Sequence, residues 1–323
     1  MNAGLAVRWG ILSTARINRP VLAAARASDR FEVVAVASRD QARADAYARE
    51  HGVERAYGTY EALLEDPDVE AVYNSLPNSM HVDWTIRALE AGKHVLCEKP
   101  FDRRPPEVER AFDVAERHGL VLMEAFMWRH HPQTKKLAEL VRSGRIGEPR
   151  VVLARFTFPL DNARDIRMRP ELDGGALMDT GCYCVSGARL IGGEPVLALG
   201  RQRLAPTGVD VRFLGTLEFP GDVFAQFTCG MDMPFSRRLE VVGSDASAVV
   251  EDPWGGRDPH VQIGEERIDV EDADRYQLEL ENISDAIRGE AEPLLGRGDA
   301  VGQARTIEAL YRSAETGVVV SLP

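Results

Sequence analysis

The stretch Val7-Arg8-Trp9-Gly10-Ile11-Leu12-Ser13-Thr14-Ala15-Arg16-Ile17 sets the pattern for the first half of this 323-residue chain. An apolar strand runs into a turn of small residues and then into a helix. The alternation repeats up to Phe126, with short apolar runs at 31–37, 69–76, 94–97 and 120–123 separated by helical stretches. Strands that alternate with helices of about 10 to 15 residues predict βαβ units and a parallel sheet. We therefore predict an N-terminal Rossmann domain, a doubly wound parallel sheet, over residues 1–126.

The pattern changes after His131. A helix is predicted at 133–142, and from 196 to about 270 the chain reads almost entirely as strands with short turns such as Pro220-Gly221-Asp222. Consecutive strands with short connections predict a large, mostly antiparallel open sheet with one face packed on helices. Residues 127–323 are thus predicted to form a C-terminal α+β domain that binds substrate and forms oligomers. The C-terminal helix could pack back on the first domain.

Composition excludes several classes of partner. The chain has 51 Asp and Glu against 39 Lys and Arg, a net charge of -12, which repels nucleic acid and anionic membranes. It has no apolar run of about 18 residues and no signal-peptide pattern at its N-terminus. Cys97, Cys182, Cys184 and Cys229 follow no zinc or disulfide spacing. We expect a cytoplasmic protein with reduced thiols and no metal.

The turn after the first strand partly matches the dinucleotide fingerprint G-x-G-x-x-G/A. Gly10 and Ala15 fit, and Ser13 lies close to the missing middle glycine. Serine is small enough for a pyrophosphate to approach, its hydroxyl can donate to a phosphate oxygen, and the next helix begins with free backbone N–H groups. An ordinary strand-to-helix turn is the alternative interpretation.

The end of the second strand, Ala37-Ser38-Arg39, bears on which dinucleotide binds. NAD-binding sites place a carboxylate there for the ribose hydroxyls, whereas a hydroxyl and a guanidinium suit a 2′-phosphate. Asp40 is better placed to cap the next helix. The sequence therefore favours NADP(H), with a solvated surface arginine as the alternative for Arg39.

Two further groups follow strand ends, where ligands bind in doubly wound sheets. Lys99 lies in Cys97-Glu98-Lys99-Pro100, and Asn78 and His81 follow the preceding strand. Taken alone, they would be a solvent-facing lysine, a loop residue and a helix cap.

In the second half, Asp179 and Tyr183 lie in Gly174-Gly175-Ala176-Leu177-Met178-Asp179-Thr180-Gly181-Cys182-Tyr183. A separation of four places both side chains on one face of a helix. Either substrate or a buried Tyr–Asp pair would satisfy them.

These four motifs, G-x-x-S-T-A, S-L-P-N-x-x-H, E-K-P and G-G-A-L-x-D-x-G-x-Y, occur in one order along the chain. In this order they resemble the Gfo/Idh/MocA oxidoreductases, the glucose–fructose oxidoreductase and inositol dehydrogenase superfamily, over essentially the whole length. Segments 9–15 and 124–132 look like those of NADP-dependent aldose (D-xylose) dehydrogenases. Dimeric dihydrodiol dehydrogenases and sugar ketoreductases are similar in the same motifs.

The resemblance implies a role for each matching residue. Lys99 matches the family's catalytic lysine, Tyr183 its acid/base, and Asp179 the acid that binds substrate or orients the acid/base. Arg167 fits a Trp-Arg pair that approaches the cofactor in relatives, although Ile166 replaces the tryptophan, and Asp173 replaces the first of three glycines. The predicted cofactor contacts are Gly10, Ser13, Thr14, Ala15, Arg16, Ile17, Ser38, Arg39, Leu76, Pro77, Asn78, His81, Glu98, Lys99 and Arg167.

The predicted reaction is hydride transfer between NADP(H) and a sugar hydroxyl or ketone carbon. Because a free tyrosine has a pKa of about 10, we expect a nearby ammonium to favour the phenolate of Tyr183. Lys99 would supply that charge and stabilise the alkoxide; the opposite assignment, with Lys99 carrying the proton, stays open. Alternative functions are a sugar ketoreductase, a trans-dihydrodiol dehydrogenase and a non-catalytic dinucleotide-binding regulator.

The uncovered face of the second-domain sheet predicts self-association. We expect this face to carry Phe213, Leu217 and Phe224, and to pair with a second copy in a homodimer or homotetramer, as in the family.

Overall fold

The computed structural model describes residues 6–323, which divide into two compact units. Unit 1 comprises residues 6–102, 106–127 and 274–300, and unit 2 comprises residues 103–105, 128–273 and 301–323. A segment late in the sequence therefore belongs to the unit that contains the first strand. Among the described residues, no helix is long and apolar enough to cross a membrane.

Unit 1 is built on a parallel sheet of six strands in the order β3-β2-β1-β4-β5-β6 once these are numbered along the chain. The strands are β1 (Val7–Leu12), β2 (Phe31–Ala37), β3 (Arg55–Tyr57), β4 (Ala71–Asn74), β5 (His94–Glu98) and β6 (Leu122–Ala125). The central strands are buried on both faces, as apolar runs in a covered parallel sheet require. The strand order reverses between β1 and β4, so the turns after them meet at the crevice where doubly wound folds bind ligands.

The described residues also contain α-helices, short 3₁₀ turns and a π-helical turn. The α-helices are α1 (Asn18–Ala27), α2 (Gln41–His51), α3 (Tyr60–Leu64), α4 (His81–Glu90), α5 (Pro105–His118), α6 (Pro132–Arg142), α7 (Cys182–Gly192), α8 (Arg275–Ile287) and α9 (Arg297–Thr316). Short 3₁₀ turns occur at Asn78–Met80, Met127–Arg129, Ile166–Met168 and Pro170–Leu172. A single π-helical turn, Leu177–Gly181, directly precedes α7.

Helix α8 packs against α1 within unit 1. Ion pairs from Arg30 to Asp285 at 2.6 Å and from Arg288 to Glu70 at 2.8 Å join it to the N-terminal part of the unit. These contacts explain why a segment that follows the second sheet in sequence belongs to the first unit in space.

Unit 2 contains a nine-stranded sheet. Its strands are β7 (Pro149–Pro159), β8 (Leu197–Leu204), β9 (Asp210–Phe219), β10 (Val223–Gly230), β11 (Asp232–Gly243), β12 (Ser247–Val250), β13 (His260–Ile263), β14 (Glu266–Asp269) and β15 (Val320–Ser321). They lie in the order β14-β13-β12-β11-β7-β10-β9-β8-β15, and every neighbouring pair is antiparallel except β10 and β7. The predicted fold class is confirmed for both sheets.

The prediction for the open face of this sheet is confirmed for Phe224 and wrong for Phe213 and Leu217. Phe213 and Leu217 are fully buried on the face covered by helices, whereas Phe224 is 42% exposed on the open face. The hairpin register explains the error: Phe224 pairs with Glu218, one residue along from Leu217. Cross-strand partners share a face, so a register set by the tight turn at 220–222 places Phe224 on the other face of the sheet from Leu217.

The open face instead presents other apolar side chains. Leu214 is 50% exposed and Leu153 is 36% exposed, and both lie on strands next to β10. Register pairing places Leu214 opposite Thr228 and Leu153 opposite Gln226, on the same face as Phe224. The open face is therefore apolar at its centre, where Phe224 lies as predicted and Leu214 and Leu153 take the places expected for Phe213 and Leu217.

Candidate active site

The turn after β1 is held by a hydroxyl network inside unit 1. Ser13 has a φ of +120°, a backbone region that residues other than glycine seldom adopt. Its hydroxyl accepts the Ala15 N–H at 3.1 Å and lies 2.8 Å from the Ser75 hydroxyl, which is 2.6 Å from Asn18 Oδ1. The Ser13 hydroxyl is therefore engaged in stabilising the turn, and the Ser13 backbone N–H donates to the Ala37 carbonyl oxygen at 3.1 Å.

A second arginine joins Arg39 at the ends of β1 and β2. Arg43, in the first turn of α2, donates from Nε to Thr14 Oγ1 at 2.8 Å. Burial raises the pKa of Tyr60, and the charges of Arg39 and Arg43 oppose that shift, which places both guanidinium groups near one hydroxyl. Two guanidinium groups and two hydroxyl-bearing residues suit a phosphate group.

Arg43 was not among the predicted cofactor contacts, because it lies on a helix where an exposed arginine is ordinary. The only available indication was its spacing of four residues from Arg39. The predicted role of Asp40 as a helix cap is confirmed, since its side chain accepts the Arg43 N–H at 2.8 Å as the N-cap of α2. Asp40 is therefore occupied by the helix. A cavity of about 290 Å³, lined in part by Thr14, Arg16 and Arg43, opens beside this pair of strand ends.

His81 joins two loops of unit 1. It is fully buried, and its ring nitrogens lie 2.8 Å from the Leu76 carbonyl oxygen and 2.9 Å from the Pro100 carbonyl oxygen. Burial lowers its pKa, while the carbonyl contacts act in the opposite direction. Asn74 Nδ2 also donates to the His81 carbonyl at 3.0 Å. The geometry makes His81 a support for the segments that hold Pro77, Asn78 and Lys99.

Lys99 follows Glu98, whose carboxylate is held by hydrogen bonds at the end of β5. The Tyr73 hydroxyl donates to Glu98 Oε1, and Glu98 Oε2 accepts the Lys99 backbone N–H at 3.1 Å. Burial, and then the charge of Glu98, raise the pKa of Tyr73, so this hydroxyl keeps its proton and donates. The Lys99–Pro100 peptide bond is cis. Glu98 is thereby fixed in orientation, and the backbone from which the Lys99 side chain projects is fixed with it.

In unit 2, Asp179 lies in the π-helical turn and Tyr183 in the first turn of α7. Asp179 Oδ2 accepts a hydrogen bond from Arg167 Nε at 2.6 Å, and Arg167 Nη1 lies 3.2 Å from Asp165 Oδ1. The charge of Asp179 raises the pKa of Arg167 above its usual range. The structure thus joins Arg167, predicted as a cofactor contact, to the predicted substrate-binding acid. Single π turns occur frequently at functional sites.

Backbone geometry explains the residues that precede this turn. A Cβ on Gly174 would lie 2.4 Å from the Arg167 carbonyl oxygen, so this glycine allows the 160s loop to approach the helix. Asp173 adopts a left-handed φ of +52°, a conformation that aspartate tolerates better than most residues. Its carboxylate lies 3.5 Å from Arg103 Nε. The departure from glycine at this position is therefore accommodated by its backbone and stabilised by an ion pair.

Tyr183 belongs to an aromatic cluster that the sequence did not predict. Its ring centroid lies 5.4 Å from that of Phe156 and 5.7 Å from that of Trp254, and Trp128 packs edge-on against Trp254 at 4.8 Å. Arg237 lies over the Phe156 ring at 4.6 Å. These residues come from β7, β11 and two loops, so no local spacing could have indicated the cluster. All four rings are buried, so the cluster forms the packed surroundings of Tyr183.

Each predicted site residue now has a place. Unit 1 contains the predicted residues in and just after the ends of β1, β2, β4 and β5, which are Gly10, Ser13, Thr14, Ala15, Arg16, Ile17, Ser38, Arg39, Leu76, Pro77, Asn78, His81, Glu98 and Lys99. Unit 2 contains Arg167, Asp179 and Tyr183. The roles of all these residues stay predictions.

Two family models match this chain along most of its length. The model for the oxidoreductase family with an NAD-binding Rossmann fold, GFO/IDH/MocA, matches residues 7–126, and the GFO/IDH/MocA C-terminal domain matches residues 134–249. This chain belongs to the GFO/IDH/MocA oxidoreductase family. The predicted family and the predicted enzyme class are confirmed.

Relatives in the family have several activities. The D-xylose 1-dehydrogenase (NADP(+)) 2 of Haloferax volcanii is 41% identical, covering 97% of this chain and 99% of the relative. The trans-1,2-dihydrobenzene-1,2-diol dehydrogenase of Bos taurus is 36% identical, covering 77% of this chain and 75% of the relative. A 3-ketoreductase from Actinomadura kijaniata, solved with NADP and TDP-benzene, has a TM-score of 0.88 at 34% identity, covering 95% of this chain and 98% of that structure. The predicted cofactor, NADP(H), agrees with the first and third.

Proposed function

We propose that this oxidoreductase transfers hydride between NADP(H) and a sugar carbon, and that it acts as an aldose dehydrogenase on a substrate like D-xylose. Unit 1 serves as the cofactor domain and unit 2 as the substrate domain. The observation that carries the proposal is the position of Asp179 one turn before Tyr183, with the Asp179 carboxylate held by Arg167 at 2.6 Å. The similarity to a D-xylose dehydrogenase over almost the whole chain supports the choice of substrate.

The residues divide the chemistry between them. When bound, the nicotinamide ring accepts or supplies the hydride. Tyr183 takes the proton from the substrate hydroxyl, and Lys99 provides a positive charge for the developing alkoxide. Asp179 accepts a hydrogen bond from a neighbouring substrate hydroxyl. The two guanidinium groups at Thr14 and Ser38 would hold a 2′-phosphate.

The charge distribution of unit 2 favours an uncharged substrate. Arg167 is neutralised by Asp165 and Asp179, and Arg237 is paired with Asp252 at 3.1 Å. A nucleotide-diphosphate sugar would require these arginines to exchange their carboxylates for phosphate. A free aldose needs no such exchange, because it can be held by hydroxyl contacts.

The proposal is tested by following absorbance at 340 nm with purified protein, NADP or NAD, and a panel of aldoses that includes D-xylose. Saturable NADPH formation with an aldose is the expected result. Turnover only with a trans-dihydrodiol, or only in the reducing direction with keto-sugars, would overturn the aldose assignment in favour of the activities of other relatives. NADPH binding without turnover of any of these substrates would favour a non-catalytic regulator.

Removing Arg39 or Arg43 should weaken NADP binding selectively. In the Arg39→Ala and Arg43→Ala variants the KM for NADP should rise roughly 10- to 100-fold, because each substitution removes a charge-assisted hydrogen bond to phosphate. The KM for NAD should change little. Arg49→Ala, an exposed residue in the last turn of the same helix, is the matched control. Equal effects on both cofactors would contradict a 2′-phosphate site.

We propose further that two copies associate through the open face of the unit 2 sheet. Leu153, Leu214 and Phe224 are more than a third exposed there, and apolar sheet faces of this kind mark interfaces. The polar rim includes an ion pair between Arg238 and Glu240 at 3.1 Å. A second copy would cover the apolar centre with an identical surface.

Leu214→Glu should convert the assembly to monomers at micromolar concentration, since each two-fold contact would have to remove two carboxylates from water. Sedimentation velocity measures the change. The control is Val318→Glu, because Val318 is 60% exposed but does not lie in any strand. A wild-type chain that sediments as a monomer would refute the interface.

A further inference from the structure

A buried carboxylate connects three elements of unit 2 beneath the proposed catalytic helix. Asp210, the first residue of β9, is 3% exposed. Its Oδ2 accepts the Leu177 N–H at 2.7 Å, and its Oδ1 accepts the Tyr311 hydroxyl of α9 at 2.9 Å. Leu177 begins the π-helical turn that contains Asp179. One side chain from a strand therefore caps the turn that presents the substrate-binding acid.

The glycine motif makes room for this cap. Gly175 has a φ of +128°, and a Cβ at that position would lie 2.1 Å from Asp210 Oδ1. Any larger residue would force the carboxylate away from the Leu177 amide. The second glycine of Gly174-Gly175 is thus explained by Asp210, which is 35 residues distant in sequence.

We propose that Asp210 is a positioning residue of the active site, whose carboxylate fixes the first turn of the Leu177–Gly192 helical segment and so sets the alignment of Asp179 and Tyr183. The proposal rests on the proposed roles of those two residues. A negative charge at the start of a helix interacts favourably with the unpaired N–H groups there, and a charge-assisted hydrogen bond is stronger than a neutral one.

The environment of Asp210 makes this cap sensitive to pH. Burial raises the pKa of Asp210 to about 6, and the hydrogen bonds from Leu177 and Tyr311 oppose that shift. Arg103 lies 5.2 Å from the Tyr311 ring and pairs with Asp173, and the pKa of the buried Cys229 thiol is raised well above its usual range. Ionised Asp210 accepts both hydrogen bonds, whereas protonated Asp210 must donate one proton and carries no charge toward Leu177.

The raised pKa of Asp210 affects folding stability in the direction opposite to the proposed benefit of the ionised carboxylate for the active site. The pKa of Asp210 in the folded chain is above the value of about 3.9 for a free aspartate. Its contribution to folding stability is therefore fully present below about pH 4 and is lost as the pH rises through 6. The fold accepts this cost at neutral pH, where the carboxylate would hold the turn.

Asp210→Asn is the first test, because asparagine keeps the shape and resembles the protonated acid. Its carbonyl oxygen can accept the Leu177 N–H while its amide donates to Tyr311. At pH 8 we expect kcat/KM for the sugar to fall roughly 3- to 30-fold, with the Kd for NADPH unchanged. Wild-type kcat/KM should decline below about pH 6, and this acid limb should be absent from the variant.

Tyr311→Phe provides the second test and keeps the cap in place. It removes one donor that lowers the pKa of Asp210, so the acid limb should move to higher pH. A purely structural role would lower the Tm of both variants without moving either pH profile. An acid limb at the same pH in wild type and Asp210→Asn would overturn the proposal.

Amide hydrogen exchange separates this proposal from the proposed function. After correction for intrinsic rates, the Leu177 amide should exchange faster in Asp210→Asn than in wild type at pH 8, and faster in wild type at pH 5 than at pH 8. This result requires no substrate, so it would stand even if no sugar were turned over. Equal protection in both proteins would overturn the proposal whatever the activity.

Discussion

Lys99→Met should lower kcat for the sugar by about 10²- to 10⁴-fold. Methionine keeps the length and apolar part of the side chain but removes the ammonium that would stabilise the alkoxide. The Lys99 backbone stays bonded to Glu98, which Tyr73 orients, so the loop should keep its conformation. Cofactor binding should be retained, which NADPH fluorescence titration measures. Lys135→Met, at an exposed position of α6, should keep full activity.

Lys99→Arg distinguishes the two possible roles of this residue. Arginine keeps the positive charge but does not release its proton in proteins. If Lys99 acts through its charge, the arginine variant should retain more turnover than the methionine variant. If Lys99 carries the proton, both variants should be equally inactive. Turnover like that of wild type in Lys99→Met would remove the lysine from the mechanism altogether.

Tyr183→Phe should produce a loss of the same size, about 10²- to 10⁴-fold in kcat. The substitution removes only the hydroxyl, the group proposed to take the substrate proton. The phenylalanine ring would keep the packing of Tyr183 against Phe156 and Trp254 at 5.4 and 5.7 Å. Tm and the Kd for NADPH should therefore stay at wild-type values, so that the defect appears in kcat alone.

Tyr57→Phe is the matched control for the tyrosine. It also removes a hydroxyl, one that donates to Asp66 at 2.8 Å on β3 in unit 1. We expect a small loss of stability and unchanged kcat. A Tyr183→Phe variant with normal turnover would assign the proton to another group, with Lys99 as the first candidate.

Several features of the site followed from local sequence. The alternation of apolar runs and helices predicted the parallel sheet, because burial on both faces leaves a continuous apolar run in each strand. The helix cap at Asp40 was predictable because it needs contacts only three residues away. The E-K-P and D-x-x-x-Y motifs identified Lys99, Asp179 and Tyr183 as candidates by residue type and order.

Other features could not be predicted, because they depend on residues distant in sequence. Arg43 reaches Thr14 only when α2 lies beside the turn after β1. Ser13 has the right size for a phosphate turn, yet its hydroxyl is engaged by Ser75, 62 residues away. Arg167 was predicted to approach the cofactor, and the loop geometry joins it to Asp179.

The sequence by itself determined the alternation of strands and helices in the first half, the parallel and antiparallel character of the two sheets, the family and the chemical identity of the candidate residues. Periodicity, capping and turn residues act over a few positions, so they can be read along the chain. Only the tertiary structure decided which face of the second sheet carries Phe213 and Leu217, which residues surround Tyr183, and that Asp210 caps the turn bearing Asp179. Strand register and packing determine these contacts, and a shift of one residue exchanges the two faces of a strand.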